Sequence, residues 1–186
     1  MRQPLPTERH ISWCIPLDKK KLSLVEIVLF GVLGALTFAM KVVMAPLPNI
    51  EPVTLTLMVY GAVFGLKALY PAYIYVLMEI LWFGIGTWNV NYLYIWAIPA
   101  VAAWLLRGMK HPLAWAILGG TFGLLFGALC APVDVFIGGF SYAAAKWASG
   151  IPFDIAHCAG NFCIGLILFV PLRKLLEKLY TRMHKS

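Results

Sequence analysis

The sequence predicts an all-α integral membrane protein: six transmembrane helices in one bundle, with both termini cytoplasmic. Three observations carry this. Of the 186 residues, 61% are hydrophobic and 12% are charged, where a soluble domain carries about 25% charged residues. Mean hydropathy is +0.82. The apolar residues come in runs long enough for bilayer spans of about 20 residues, and the basic residues punctuate those runs. This composition excludes disorder, collagen and disulfide scaffolds. It leaves no room for a soluble catalytic domain, and no nucleotide-binding loop is present, so any ATP-driven work needs another chain.

The first span runs from Leu22 to about Ala45 and stops at Pro46-Leu47-Pro48-Asn49. The second follows Glu51-Pro52 and reaches Gly65. Lys67 separates it from the third, Ala68 to Ile85, after which Gly86-Thr87-Trp88-Asn89 turns the chain. The fourth covers Val90 to Leu106 and ends at Arg107-Gly108-Met109-Lys110-His111-Pro112. The fifth runs from Leu113 to Ala131, where Pro132 interrupts it. Ile151-Pro152 opens the sixth, with proline in a first turn where its missing N–H costs little. Residues 132–150 are polar for a lipid-facing span and read as an extension of span five followed by a loop or partial helix over one membrane face. The organisation is thus a cytoplasmic lead (1–22), a membrane domain (23–172) and a basic cytoplasmic tail (173–186).

Charge sets the orientation. With six spans, thirteen of the fifteen Lys and Arg residues fall on one side and only Lys41 and Lys146 on the other. The positive-inside bias puts the thirteen, and both termini, in the cytoplasm. The net charge of +7 is therefore topological and does not point to nucleic acid. Cys14, Cys130, Cys158 and Cys163 lack CxxC spacing and read as small side chains, not metal ligands or disulfides.

Polar residues collect in the outer half: Lys41, Asn49, Glu51, Glu79, Asn89, Asn91, Asp134, Lys146, Asp154, His157 and Asn161. A charge at the bilayer centre costs at least ~2.5 kcal/mol, so such groups face a cavity or a partner. Glu79 lies well inside the turn at Gly86. Asp154, His157 and Asn161, spaced i, i+3, i+7, share one helical face. Either they satisfy one another between helices or they line a cavity, and together they favour the cavity, with Asn161 or His157 touching ligand. Trp82, Trp88, Tyr92, Tyr94, Trp96, Tyr142 and Trp147 crowd the same end and suggest a ring-walled pocket for a planar or partly apolar molecule. The candidate substrate-binding set is Asn49, Glu79, Trp82, Asn91, Tyr92, Asp134, Lys146, Asp154, His157 and Asn161. The 46–51 loop and the 132–150 segment are candidate lids. No serine stands by the Asp154–His157 pair and no zinc spacing exists, so neither an enzyme nor a bound cofactor or metal is expected.

Gly31, Ala35 and Ala39 repeat at four-residue spacing in span one, either for packing within the bundle or as a smooth docking face. With Ala35-Leu-Thr-Phe-Ala39, Leu47-Pro-Asn-Ile-Glu-Pro-Val-Thr54, Gly150-Ile-Pro-Phe-Asp-Ile-Ala-His157 and Gly160-Asn161, the chain resembles the S components of energy-coupling factor (ECF) transporters, which import vitamins and related micronutrients into prokaryotic cells. The resemblance implies a six-helix subunit of the cell membrane that binds a small-molecule substrate near the outer face. It further implies a transmembrane coupling subunit, contacted through Ala35 and Ala39, and two cytosolic ATPases as partners. The alternatives are an autonomous proton-coupled secondary transporter, using Glu79 or Asp154–His157 as a relay, and a structural membrane scaffold.

Overall fold

The structure, a computed structural model, describes residues 22–47 and 50–183; Asn49, Cys14 and nearly all of the N-terminal lead lie outside them. Every regular element among the described residues is helical. Three stretches are long and apolar enough to cross a membrane: Leu24–Met44, Val53–Phe83 and Pro112–Met183.

Helix α1 (Leu24–Met44) starts in a capping box. The Ser23 hydroxyl accepts from the Glu26 N–H, and the Glu26 carboxylate accepts from the Ser23 N–H. Two otherwise unpaired amides are thereby satisfied at once. Helix α2 (Val53–Phe64) is apolar all round and buried along nearly its whole length, which makes it the centre of the bundle. Its Tyr60 and Thr56 meet Thr37 of α1, and the Thr37 and Tyr60 hydroxyls both reach Leu33 O. Buried hydroxyls are thus absorbed by backbone carbonyls. Gly65, at φ 64°, turns the chain into a short 3₁₀ segment, Gly65–Ala68. Helix α3 (Leu69–Phe83) then runs alongside α1 in the same direction: Gly34 meets Pro71 and Ile74, and Lys41 meets Glu79. Helices α4 (Trp88–Ile95) and α5 (Ala97–Leu105) are offset at Trp96, and α5 lies against α2, with Gly61 directly on the Ala100 backbone.

Helix α6 (Pro112–Leu124) begins with proline in its first turn, and the His111 side chain accepts from the Leu113 N–H. Helix α7 (Phe126–Met183) is folded in two at Gly139, whose φ of 81° and ψ of 177° are not helical. α6 and the first arm of α7 run against the second arm as an antiparallel hairpin. Ala116 meets Gly165, and Gly119 meets Asn161. Gly123 meets His157, and Gly127 meets Asp154. Nearer the tip, Asp134 meets Lys146. The glycines let the two backbones approach closely.

The hairpin corrects the expected loop. Residues 132–150 are helical on both sides of Gly139, and Pro132 and Pro152 lie inside helix. Ala143-Ala-Ala145 is strongly helix-forming. The Lys146–Asp134 pair, at 2.6 Å, neutralises the charges that made this stretch look too polar to span. Residues 173–183 of the expected basic tail are the last turns of α7, which continues to Met183.

Two glycine substitutions test the packing. A Cβ at Gly61 would collide with the Ala100 backbone, whereas one at Gly31 meets nothing within 4 Å. Gly61→Ala should destabilise the protein by about 1–3 kcal/mol through overpacking. Gly31→Ala should leave the thermal midpoint in detergent unchanged or slightly raised, since alanine is the better helix former.

Candidate ligand-binding site

Ionic and polar side chains gather at two ends of the bundle. At one end the buried Glu26 carboxylate receives Lys67 Nζ and the Tyr180 hydroxyl, each at 2.7 Å, besides its cap at Ser23. This joins the start of α1, the 3₁₀ turn and the end of α7, and it is a structural clasp.

The other end, where α1 finishes, α2 begins and α3 finishes, holds the more reactive arrangement. Lys41 Nζ lies 2.6 Å from Glu79 Oε2, and Glu79 is 1% exposed. The ammonium also sits 5.2 Å from the Phe83 ring centre and 5.9 Å from that of Tyr92, within cation–π range. Glu51, partly buried in the link before α2, interacts electrostatically with both Lys41 and Glu79. Burial pushes its carboxyl up to about 7; Lys41 opposes that rise and Glu79 adds to it.

Tyr75, one turn before Glu79 on the same face of α3, carries the site inward. Its ring meets Trp96 edge-on at 5.6 Å. Trp96 touches Tyr92 at 5.4 Å and Phe126 at 5.7 Å, and Phe126 touches His157 at 5.1 Å. A continuous wall of rings thus leads from the Lys41–Glu79 pair to His157. Along it stand buried polar atoms: Trp96 Nε1 and His157 Nε2, which have no hydrogen-bond partner, and Glu79 Oε1 and the Tyr75 hydroxyl, which face each other. Each unpaired atom costs about 1–3 kcal/mol, so two along one wall mark a place fitted to receive polar groups.

Of the residues expected from sequence, Glu79, Tyr92 and His157 stand on this wall. Asp154, His157 and Asn161 do share a face, but two of them have structural duties. Asp154 accepts from the Gly127 N–H at 3.1 Å, in the first turn of α7. Asn161 Nδ2 donates to Thr54 Oγ1 at 3.2 Å, tying α7 to α2. Asn91 lies beside the Tyr94 hydroxyl, which also bonds Leu129 O. Asp134 and Lys146 pair with each other on the hairpin. Trp82 points outward, 68% exposed, its inner edge on Phe38. Lys41, Glu51 and Trp96, prominent in sequence only as outer polar or aromatic residues, prove central. Tyr75 was not singled out, although its i, i+4 relation to Glu79 was a readable signal. Among the described residues no group of three or more His, Cys, Asp or Glu is placed to hold a metal.

The raised Glu51 carboxyl yields a pH prediction. A group whose folded pKa lies above its unfolded value of 4.5 contributes stability fully present below the unfolded pKa and lost as pH rises through the folded one. Wild-type protein in detergent should therefore lose stability between about pH 4.5 and 7, by roughly 3 kcal/mol at most. Glu51→Gln should flatten that portion of the curve; an unchanged slope would show that Glu51 is not the group responsible.

Comparison with protein-family models, with curated proteins and with solved structures gave no match.

Proposed function

We propose that the chain is the substrate-binding S component of an ECF-type importer in a prokaryotic cell membrane, taking up a vitamin or related small micronutrient. The observation that carries this reading is the ring-lined wall of buried polar atoms at one end of an apolar bundle, with Trp96 Nε1 and His157 Nε2 unpartnered, which suits capture of a small molecule. In this reading α1, α2, α3, α4–α5 and the two sides of the hairpin are six spans. The Lys41–Glu79 end faces outward, and the Glu26 end faces the cytoplasm with both termini.

The outer surface of α1 supports the partner assignment. Ala39 is exposed, Ala35 is partly exposed, and the backbone at Gly31 has open space beside it. The bundle's own α1–α3 contact uses Gly34 instead. The Gly31–Ala35–Ala39 strip is therefore free for the coupling subunit, through which two cytosolic ATPases act. The proton-coupled transporter draws support from the titratable Glu51 beside the Lys41–Glu79 pair.

Purification of the tagged chain from its native membrane should bring down a coupling subunit and two ATPase chains; proton-driven uptake by the chain alone in liposomes would favour the secondary transporter. Ala39→Trp should abolish copurification and transport while ligand binding by the isolated subunit persists. Equal loss of both would place Ala39 in the protein's own packing.

A further inference from the structure

The outer end of the bundle carries an imbalance of charge. Lys146 is engaged by Asp134, which among the described residues leaves Lys41 as the one ammonium that meets both Glu79 and Glu51. Lys41 occupies Glu79 Oε2 only, and Glu79 Oε1 is buried with the Tyr75 hydroxyl as its neighbour. The rings beside it, Phe83 and Tyr92, already face a cation, and the negative faces of aromatic rings favour positive over negative ligands. Two carboxylates, one ammonium and flanking rings make a site that is short of positive charge.

Next to the carboxylates stand donors. The Tyr75 hydroxyl is buried and turned to Glu79, whereas Trp96 Nε1 is buried without a partner, and indole N–H can only donate. A ligand that satisfies the whole site presents N–H donors to Glu79 and Glu51, and an acceptor on an adjoining edge to Trp96. It has to be flat to lie along rings that meet one another edge-on. We propose that the substrate is a small planar nitrogen base, a heterocycle bearing an amino or amidine-like group, bound in its cationic form between Glu51 and Glu79.

This rests on the substrate-binding reading for its location, and it adds the sign of the ligand's charge and the residues that select it. Asp154 does not compete for the ligand, because its carboxylate is held by the Gly127 amide.

Three isosteric probes separate the charges: benzamidine (cation), benzamide (neutral) and benzoate (anion). Their binding to the full-length chain in nanodiscs at pH 7.5 should be measured by isothermal titration and by thermal shift. Benzamidine should bind at least about tenfold more tightly than either analogue, equivalent to about 1.4 kcal/mol. Glu51→Gln and Glu79→Gln, checked for folding by size exclusion, should each weaken benzamidine by about tenfold or more. Benzoate binding as well as benzamidine, no detectable benzamidine binding, or folded variants that bind it unchanged would overturn the proposal. Should a variant fail to fold, the wild-type ranking of the three probes decides alone. Copurified ATPase subunits with a preference for benzoate would leave the importer reading standing and remove this one. Benzamidine selectivity without such subunits would do the reverse.

Discussion

A charged group among apolar helices persists only if something of opposite sign or a strong hydrogen-bond donor meets it. Three lysine–carboxylate pairs meet that constraint, and each joins segments remote in sequence. Lys41–Glu79 ties α1 to α3, Lys67–Glu26 ties the 3₁₀ turn to the start of α1, and Lys146–Asp134 ties the two arms of α7. The carboxylates are almost fully buried, whereas the lysines keep part of their length exposed, as long amphipathic side chains do. Such pairs add little to net stability but make wrong registers expensive, because a slipped helix would strand a carboxylate among apolar side chains. Their worth here is to fix which helix faces which.

Within that frame the packing depends on small residues. α2 is enclosed because Gly61 admits the α5 backbone, and Gly34 lets α3 approach α1. The hairpin has glycines on both sides of its seam. Close van der Waals approach and interhelical hydrogen bonds are what hold apolar helices together where a lipid surround would remove most of the hydrophobic driving force. Thr54–Asn161 and the Thr37–Tyr60 cluster are the hydrogen-bonded part of that account.

Much of the architecture was legible in the sequence. The apolar runs located α1 to α3 within a few residues, and the capping box at Ser23 was available in the pattern Ser-x-x-Glu. The hairpin was misread because Pro132, Asp134, Gly138, Gly139, Lys146 and Pro152 each argue locally against helix. The Asp134–Lys146 contact and the single left-handed turn at Gly139, which reverse the argument, exist only once the arms lie together. The site was half legible for the same reason. Polarity in an apolar run exposed Glu79, Lys41 and His157. Whether a polar side chain is spent on structure, as Asp154 and Asn161 are, depends on its partners across the bundle, and periodicity carries no information about those.

The clasp at Glu26 has a consequence for how the chain is assembled. Its Tyr180 partner lies 154 positions further along, so the contact closes only after all the helices between them have been made. By contrast, Thr37 and Tyr60 are 23 positions apart and can meet as soon as the second helix exists. Early, local contacts thus settle the first helices, and a late, distant one fastens the last helix back onto the first. Contacts that span so much sequence are slow to form. Until the last turns of α7 dock, the Glu26 carboxylate at the entrance of α1 lacks its Tyr180 hydrogen bond.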